Sequence, residues 1–318
     1  MQAPPRTLFF GTGDIAVPAL DFLLKQESVS VIGLLCQPDK PVGRKQILTP
    51  PATKVLAGRH GVPVFQPDRL RRHVDMVASL KPDLIVVMAY GQIIPQTVLD
   101  LPSLGCWNLH ASLLPRHRGA APIQSAILEG DPESGITVMA VEAGLDSGPM
   151  LLHESLPLAP DETGGGLHDR LAALAPVALE RALPLILSGN PQLTVQDSAQ
   201  ATHIGKLDRS HGVLDWSQPA ATLERRIHAF HPWPGTSTTL PDGTPVKIFP
   251  PVVGFGDASG GCAPPGALLA AGPDSFLLAT GQGTLRIQEI QLPGSRRMKV
   301  REHLAGHAHQ LGEIWGRV

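Results

Sequence analysis

Short apolar runs alternate with segments of helical length through the first half of the chain. The helix-like segments include Asp14–Lys25, Pro51–His60 and Arg69–Leu80. Alternation of this kind predicts βαβ units and a largely parallel sheet. The apolar runs that supply its first strands are Thr7–Phe10, Val29–Cys36, Val62–Phe65, Leu84–Ala89 and Cys106–Leu109.

The run Leu84–Ala89 contains no polar residue at alternate positions. Such a run is typical of a central strand that is covered on both faces. Two further strands are predicted at Ile136–Glu142 and Met150–Leu156, and a long helix follows over Gly166–Leu187. The first part of the chain is therefore predicted to be an α/β domain with a Rossmann-like sheet.

The pattern changes after Ser188, where turn-forming residues predominate. Short strand-like pieces separated by Gly and Pro then predict a small antiparallel barrel. We predict a catalytic domain over 1–188, a linker over 189–208 and a C-terminal domain of oligonucleotide-binding (OB) type over 209–318. The predicted strands of the C-terminal domain are Val246–Phe249, Ala267–Ala270, Ser275–Ala279 and Leu285–Leu292.

Composition narrows the class of protein. The 318 residues carry a formal net charge of −2, which gives no overall attraction to nucleic acid. The three cysteines (Cys36, Cys106 and Cys262) form no C-x-x-C pair, so we expect neither a disulfide framework nor a zinc site. The sequence begins without a secretory signal and contains no apolar run long enough to span a bilayer. We expect a cytoplasmic protein.

The segment Gly11–Ala16 follows the first strand and satisfies the dinucleotide fingerprint G-x-G-x-x-A. In that fingerprint an acidic residue at the end of the second strand binds a ribose. Here the second strand ends at Cys36, and Asp39 lies beyond a proline. We therefore expect a glycine-containing turn between strand and helix rather than a nucleotide site.

Asn108 and His110 are two residues apart in a predicted strand, so their side chains point to the same face. An amide donor beside an imidazole suits acyl transfer. The amide can stabilise an oxyanion, and the imidazole can carry protons near neutral pH. On spacing alone, the favoured interpretation is a structural histidine near a strand end.

Asp146 lies in the loop Gly144–Gly148, between two glycines that allow close backbone approach. Such a loop can bring a carboxylate to His110 and hold the orientation of its imidazole. The alternative is an aspartate that only stabilises its own turn.

Two segments carry clustered positive charge. The loop Gln37–Gln46 contains three cations and two prolines, and loops of this length in βα units are often functional. The segment Arg296–Arg301 has four cations in six positions. Either segment can contact phosphates or be an ordinary solvated surface.

Taken together, these residues resemble the methionyl-tRNA formyltransferase family over most of the chain. The most informative match is Asn108-Leu109-His110 followed by Ser112–Pro115 and Arg118–Gln124, which is similar to the signature of folate-dependent formyltransferases. Further matches lie at Val86–Gly91, Leu214–Trp216 and Ala229–Pro234. His117 replaces a common aromatic residue of the family, and Ala111 a common glycine; neither change removes a group that the chemistry needs.

The resemblance implies a role for each motif. The catalytic residues are expected to be Asn108, His110 and Asp146. The residues expected to bind folate are Met88, Ala89, Tyr90, Gly91, Ser112, Leu113, Leu114, Pro115, Val141 and Gly144. The cations expected to bind tRNA are Lys40, Arg44, Lys45, Lys206, Arg296, Arg297 and Lys299.

The function that the resemblance implies is transfer of a formyl group from 10-formyltetrahydrofolate to the α-amino group of methionyl initiator tRNA. No metal and no membrane are expected to take part, and we expect a monomer. A sugar-nucleotide formyltransferase is the main alternative, because it shares the catalytic strand but not the basic loop. The interpretation as an NAD-dependent oxidoreductase depends on Gly11–Ala16 alone. A non-enzymatic RNA-binding module would give no function to Asn108, His110 and Asp146.

Overall fold

The computed structural model describes residues 3–43, 45–255 and 263–316. The chain divides into two compact units. The first comprises Met1–Pro122, Glu133–Leu156 and His168–Ile204, and the second comprises Ile123–Pro132, Pro157–Leu167 and Gly205–Val318. Within the described residues, no helix combines the length and the apolar composition needed to cross a bilayer.

A seven-stranded sheet in the order β10-β9-β7-β6-β1-β2-β5 forms the centre of the first unit. Strands β7, β6, β1, β2 and β5 pair in parallel, and β9 runs antiparallel to β7. The predicted α/β class is confirmed. The strands are β1 (Arg6–Gly11), β2 (Ser30–Leu35), β5 (Val64–Phe65), β6 (Leu84–Met88), β7 (Cys106–His110), β9 (Glu133–Ala140) and β10 (Met150–Pro157).

Four helices lie at or near predicted segments, and two short ones, at Gln96–Leu99 and Pro122–Glu129, were not predicted. The helix expected at Asp14–Lys25 begins with a 3-10 turn at Asp14–Ala16. The helices are α1 (Val17–Leu24), α2 (Ala52–Arg59), α3 (Val74–Ser79), α4 (Gln96–Leu99), α5 (Pro122–Glu129) and α6 (Gly164–Leu187).

One predicted helix is shorter than expected. The segment Arg69–Leu80 contains a 3-10 turn at Leu70–Arg72 and then α3, which begins only at Val74. His73 separates the two because its backbone is not helical (φ −126°, ψ 30°), and its Nε2 lies 3.0 Å from Asp68 Oδ1. The prediction of one continuous helix there is wrong.

Strand β6 is buried at all five residues, as a central strand covered on both faces must be. Its neighbour β1 ends in the turn Gly11–Gly13. The backbone N–H groups of Thr12 and Gly13 both donate to the Ala89 carbonyl oxygen, at 3.1 and 3.3 Å. Because these amides are already bonded, they are not free to bind a pyrophosphate, which agrees with a plain turn rather than a nucleotide site.

A short hairpin, β3 (Lys40–Val42) and β4 (Ile47–Thr49), lies inside the polar loop that follows β2. The sequence did not predict it. Three of its apolar side chains face solvent: Val42, Ile47 and Leu48 are 56%, 61% and 63% exposed. This hairpin therefore presents apolar side chains together with Lys40 and Lys45.

Residues 189–204 pack as part of the first unit rather than forming an extended connector. Thr194 exchanges both backbone hydrogen bonds with Met150 at 2.8 Å. Strand β11 (His203–Ile204) pairs in parallel with β8 (Arg118–Gly119). The predicted linker 189–208 thus includes residues whose contacts hold the first unit together.

The second unit is built on an antiparallel sheet in the order β12-β13-β16-β15-β14, with β17 paired to β16. The predicted antiparallel β structure is confirmed, and each expected strand is present. The strands are β12 (Thr236–Thr239), β13 (Pro245–Phe255), β14 (Leu268–Ala271), β15 (Phe276–Ala279), β16 (Thr284–Gln291) and β17 (Met298–Lys299).

Two helices that the sequence analysis did not predict belong to this unit: α7 (Ala220–Ala229) and α8 (Val300–Leu304). Leu223 and Ile227 of α7 are buried in the same cluster as Ile248 of β13 and Ile287 of β16. The C-terminal segment closes the unit, because Ala267 and Ile314 form an antiparallel bridge and Trp315 is 1% exposed.

Candidate active site

Asn108 and His110 lie on the last three residues of β7, on one face of the strand. Leu109 between them is only 2% exposed, as expected for a side chain on the opposite, packed face. His110 is 6% exposed, whereas Asn108 is half-buried. Within the described ranges, the Asn108 carboxamide has no hydrogen-bond partner in the protein. An amide placed this way can donate to an external oxygen.

The imidazole of His110 is held by a backbone carbonyl. Its Nε2 lies 2.9 Å from the His117 carbonyl oxygen. A carbonyl can only accept, so Nε2 carries a hydrogen and Nδ1 is the nitrogen that can exchange a proton. His110 Nδ1 lies 3.6 Å from Asp146 Oδ1. The reactive nitrogen of the ring therefore faces the carboxylate.

Asp146 is fixed through its other carboxylate oxygen. Oδ2 accepts from the Gly119 backbone N–H at 2.9 Å. Two residues here have left-handed backbones, Asp146 (φ 50°) and His117 (φ 59°). Aspartate and histidine adopt this conformation more readily than bulkier residues do. Backbone contacts from the segment 117–119 thus hold His110 and Asp146 together, and Asn108 lies beside His110 on the same face of β7.

The segment Ser112–Pro115 follows β7 and is anchored by Thr137 of β9. Thr137 Oγ1 donates to the Ser112 carbonyl at 2.6 Å and accepts from the Leu114 N–H at 3.1 Å. His153 Nδ1 lies 3.0 Å from the same hydroxyl. Because the single hydroxyl hydrogen is used on Ser112, His153 Nδ1 must be the donor. Burial lowers the pKa of His153, which favours the neutral ring with its hydrogen on Nδ1.

Thr137 was not singled out from the sequence. It pairs with His110 in the register of β7 and β9, and it is fully buried. The signal that points to it is structural, since a threonine within an apolar strand is unremarkable until the partner strand is known. It positions the segment that the resemblance assigns to folate.

The two other segments expected to bind folate lie at opposite ends of β7. Met88 ends β6, and the exposed residues Ala89 and Gly91 follow it beside the last residues of β7. The Val141 N–H donates to the Cys106 carbonyl at 2.8 Å, beside the first residue of β7. Tyr90 points instead into the core: its side chain is 2% exposed and packs 5.2 Å from Phe10. Gly144 is exposed in the loop that leads to Asp146.

The predicted tRNA-binding cations differ in how available they are. Lys40 and Lys45 are exposed on the hairpin, and Arg44 lies outside the described residues. Arg297 is engaged within the protein, since it bonds to Glu289 and to the Pro250 carbonyl and lies over the Phe249 ring. The remaining cations, Lys206, Arg296 and Lys299, are exposed. Arg296 forms an ion pair with Glu302 at 3.2 Å.

The described part of the chain contains no group of three or more His, Cys, Asp or Glu side chains placed to bind a metal ion. The cysteine thiols that are described are buried: Cys36 and Cys106. Burial raises the pKa of Cys36 to about 11 and that of Cys106 further, so neither thiol is ionised near neutral pH.

Comparison with known proteins decides the family. The Formyl transferase family matches residues 6–183, and the Formyl transferase C-terminal domain matches residues 206–308. The chain belongs to the formyl transferase family. Asn108, His110 and Asp146 all lie within the N-terminal match, and α7 and the antiparallel sheet lie within the C-terminal one.

Relatives of this formyl transferase match along nearly its whole length. The methionyl-tRNA formyltransferase of Pseudomonas putida (strain W619) is 48% identical over 293 residues, which is 92% of each chain. That of Trichlorobacter lovleyi is 42% identical over 311 residues, 97% of this chain and 96% of the relative. The resemblance drawn from the sequence motifs is confirmed.

Solved structures share the fold at low sequence identity. An N-formyltransferase from Helicobacter canadensis, in complex with folinic acid and dTDP-3-aminofucose, has a TM-score of 0.65 at 15% identity; 92% of this chain and 100% of that one are covered. HypX from Aquifex aeolicus in complex with tetrahydrofolic acid has a TM-score of 0.58 at 19% identity and 95% coverage of this chain. The formyl transferase spans about half the length of HypX, at 47%.

Proposed function

We propose that this formyl transferase moves the formyl group of 10-formyltetrahydrofolate to the α-amino group of methionyl initiator tRNA, which makes the formylated initiator for translation. The observation that carries the proposal is the 48% identity, over 92% of both chains, to a relative named methionyl-tRNA formyltransferase. The likeness spans both matched domains, including the C-terminal one that we propose to contact tRNA.

The alternative acceptor, a sugar nucleotide, is less well supported. A structure named as a sugar 3N-formyl transferase and an N-formyltransferase in complex with dTDP-3-aminofucose each resemble this chain at 15% identity, which speaks to the fold alone. A small sugar nucleotide also gives no reason for an exposed hairpin that carries Lys40 and Lys45. Methionyl-tRNA is therefore the acceptor we propose.

Asn108 is proposed to stabilise the oxyanion. As the amine nitrogen attacks the formyl carbon, the C=O double bond opens and negative charge collects on oxygen. A carboxamide without a protein partner, beside that carbon, can donate to this oxygen without first breaking another bond. Preorganised donors of this kind contribute about 10²–10³ in rate.

His110 and Asp146 are proposed to move the proton together. The attacking amine releases one proton, which the pair takes up between Nδ1 and Oδ1. The same proton is passed to the folate nitrogen as its bond to the formyl carbon breaks, so the products are the N-formyl amine and tetrahydrofolate. The 3.6 Å separation of the two atoms is longer than a hydrogen bond, and such contacts tighten in the substrate complex.

The folate co-substrate is proposed to bind along β7, between the two segments at its ends. The exposed residues Ala89 and Gly91, and Gly144 in the other segment, leave room for a flat ring beside β7. Ser112–Pro115, anchored by Thr137, is proposed to contact the remainder of the co-substrate. Tyr90 contributes through its backbone, because its side chain is in the core.

The cations of the hairpin and the C-terminal sheet are proposed to bind tRNA phosphates. Affinity for tRNA should then fall steeply with added salt. We further propose that the protein is cytoplasmic, since the reaction takes place where charged tRNA is made. We also propose that it is a monomer. Gel filtration of the purified protein measures the oligomeric state directly.

One assay tests the proposed function. Purified protein is incubated with radiolabelled 10-formyltetrahydrofolate and each of three acceptors: charged initiator tRNA, charged elongator methionine tRNA and a dTDP-amino sugar. We expect label in the initiator tRNA and little in the other two. Label in the sugar alone would overturn the proposal in favour of the sugar-nucleotide enzyme.

A further inference from the structure

Gln196 lies in the segment predicted as a linker, yet its side chain is only 5% exposed. Its Nε2 donates to the Asp146 carbonyl at 2.9 Å and to the Gly148 carbonyl at 2.7 Å. A carboxamide nitrogen has two hydrogens, so both are used on the turn that carries Asp146. One side chain therefore holds the backbone of that turn at two points.

The other end of the same carboxamide binds Arg118. Gln196 Oε1 accepts from Arg118 Nε at 3.0 Å and from Nη2 at 2.8 Å. The guanidinium presents these donors in a rigid plane, so the two side chains fix each other's orientation. Arg118 is itself 6% exposed. The whole contact is shielded from water.

Arg118 stands between the two residues that touch the His110–Asp146 pair. His117, before it, accepts from His110 Nε2 through its carbonyl. Gly119, after it, donates its N–H to Asp146 Oδ2. Gln196 is thus bonded to the turn of the carboxylate and, through Arg118, to the segment that holds both members of the pair.

The segment 117–120 has a second support from the same stretch of chain. The Arg118 N–H donates to the Thr202 carbonyl at 2.9 Å, and the His117 N–H donates to Thr202 Oγ1 at 2.8 Å. These bonds hold the segment but do not reach the Asp146 turn. The Gln196 side chain connects the two through the backbone of the Asp146 turn, and the Gly119 N–H connects them through the Asp146 carboxylate.

We propose that Gln196 is a positioning residue for formyl transfer, which sets the distance and angle between His110 and Asp146 through the Asp146 turn and Arg118. The inference rests on the proposed function. Asp146 has a left-handed backbone, and such a turn keeps its shape only when its surroundings hold it. Loss of both carbonyl bonds lets the carboxylate move relative to Nδ1.

Two substitutions separate positioning from folding. Gln196→Glu keeps an oxygen for Arg118, and adds a charge that pairs with it, but removes both N–H donors to the Asp146 turn. Gln196→Met fills similar space and removes the contacts at both ends, so it also leaves the buried Arg118 without this acceptor. The matched control is Gln26→Glu, the same chemical change at a half-buried glutamine that donates to the Phe22 carbonyl.

Gln196→Glu is expected to lower kcat about 10²-fold, the loss typical of ångström-scale misplacement, with the KM of both substrates little changed. The Tm should fall less than in Gln196→Met. In an Asp146→Asn background, Gln196→Glu should cost no more than about twofold, because both changes act through one group. Gln26→Glu should retain wild-type kcat.

A full multiplicative loss in the double variant, or a kcat for Gln196→Glu close to wild type, overturns the inference. Failure of the proposed function looks different, because wild-type protein would then not formylate initiator tRNA. In that event the NMR resonances of the His110 ring in substrate-free protein decide the matter. They should shift in Gln196→Met and not in Gln26→Glu; unchanged resonances in Gln196→Met refute the positioning role.

Discussion

Asn108 and His110 differ in what surrounds them, although they lie on the same face of β7. The His110 ring is fixed by a backbone carbonyl and faces a carboxylate, whereas the Asn108 amide is bound to nothing in the described protein. A side chain without internal partners contributes little to folding. Its removal therefore reports on chemistry and not on stability.

Asn108→Ala should lower kcat by about 10²–10³-fold, because the donor to the oxyanion is lost. The Tm and the KM for both substrates should stay close to wild type, since no described internal contact is lost. Steady-state formylation kinetics and a thermal melt measure the two effects. The other asparagine of the chain, Asn190, is exposed, and Asn190→Ala is the matched control. Unchanged turnover in Asn108→Ala would refute the oxyanion role.

Gly119 is constrained both by its backbone conformation and by its hydrogen bond to Asp146. Its φ is +114°, and a Cβ there would lie 2.2 Å from the Ile204 carbonyl oxygen. Gly119→Ala should therefore lower the free energy of unfolding by roughly 2–4 kcal/mol, from strain and clash together. The activity of the folded fraction should fall as well, because the Gly119 N–H holds Asp146.

The control for this prediction is Gly61→Ala. Gly61 also has a positive φ, +67°, but a Cβ there meets nothing within 4 Å. It should cost only about 1–2 kcal/mol, the price of the left-handed backbone alone. Urea unfolding of both variants measures the difference. Equal losses of unfolding free energy in the two variants would show that β8 can move away from β11 far enough to accept the added methyl group.

At the scale of secondary structure, the hairpin β3–β4 is the element that we propose contacts tRNA. Lys45 lies in its turn and is exposed. Lys45→Ala should weaken binding of tRNA and reduce the slope of log affinity against log salt by about one, as expected for one lost phosphate contact. The KM for the folate should not change. Filter binding across a salt series gives the slope.

Lys25→Ala is the control for the hairpin, since Lys25 is exposed on the first unit and pairs with Asp21. It should leave both affinity and slope unchanged. An unaltered slope in Lys45→Ala would remove this residue from the proposed interface. Arg44, the neighbour expected to act with it, lies outside the described residues.

Elements with a strong apolar signal were predictable and the others were not. Leu84–Ala89 predicted a buried central strand because it has no polar position, and β6 is buried throughout. The hairpin has three-residue strands, one of which contains Pro41, and nothing in that pattern indicates pairing. Helix α7 could have been predicted but was missed, since its buried residues Leu223 and Ile227 have the i, i+4 spacing of an amphipathic helix.

The candidate site was predictable only along one strand. Period-two spacing placed Asn108 and His110 side by side, and family resemblance added Asp146. Contacts between residues far apart in sequence left no local trace: Gln196 is 50 residues from the Asp146 carbonyl that it binds. Thr137 likewise depends on the register of β9 against β7.

At the scale of the molecule, a histidine cluster makes the stability of the second unit depend on pH. His303 is 3% exposed, its Nε2 lies 2.9 Å from His309 Nε2, and its ring stacks on His307. His309 in turn contacts Glu313 at 2.6 Å. Burial, and then the two neighbouring histidines, lower the pKa of His303 from 6.5 to about 4.

Between pH 6.5 and 4 the unfolded chain binds a proton at His303 that the folded chain does not. The contribution of neutral His303 to the free energy of unfolding is therefore fully present above pH 6.5. As the pH falls toward 4, the free energy of unfolding decreases by up to on the order of 3 kcal/mol. His303→Gln removes this titration and should flatten the pH dependence of unfolding over that window. Urea unfolding at pH 7, 6, 5 and 4 measures it. Parallel profiles for the two proteins would contradict the assignment.

The Ala89 carbonyl, which occupies the amides of Thr12 and Gly13, has a consequence for protein engineering. A designer who wished to graft NAD chemistry onto this scaffold would find the glycines already in place. Placing an acidic residue after the second strand to bind the ribose would not be enough. The Thr12 and Gly13 N–H groups, which would have to bind the phosphates, already donate to the Ala89 carbonyl in the segment after β6. The redesign has to start by rerouting the chain after β6, and a screen for glycine spacing alone would not reveal this.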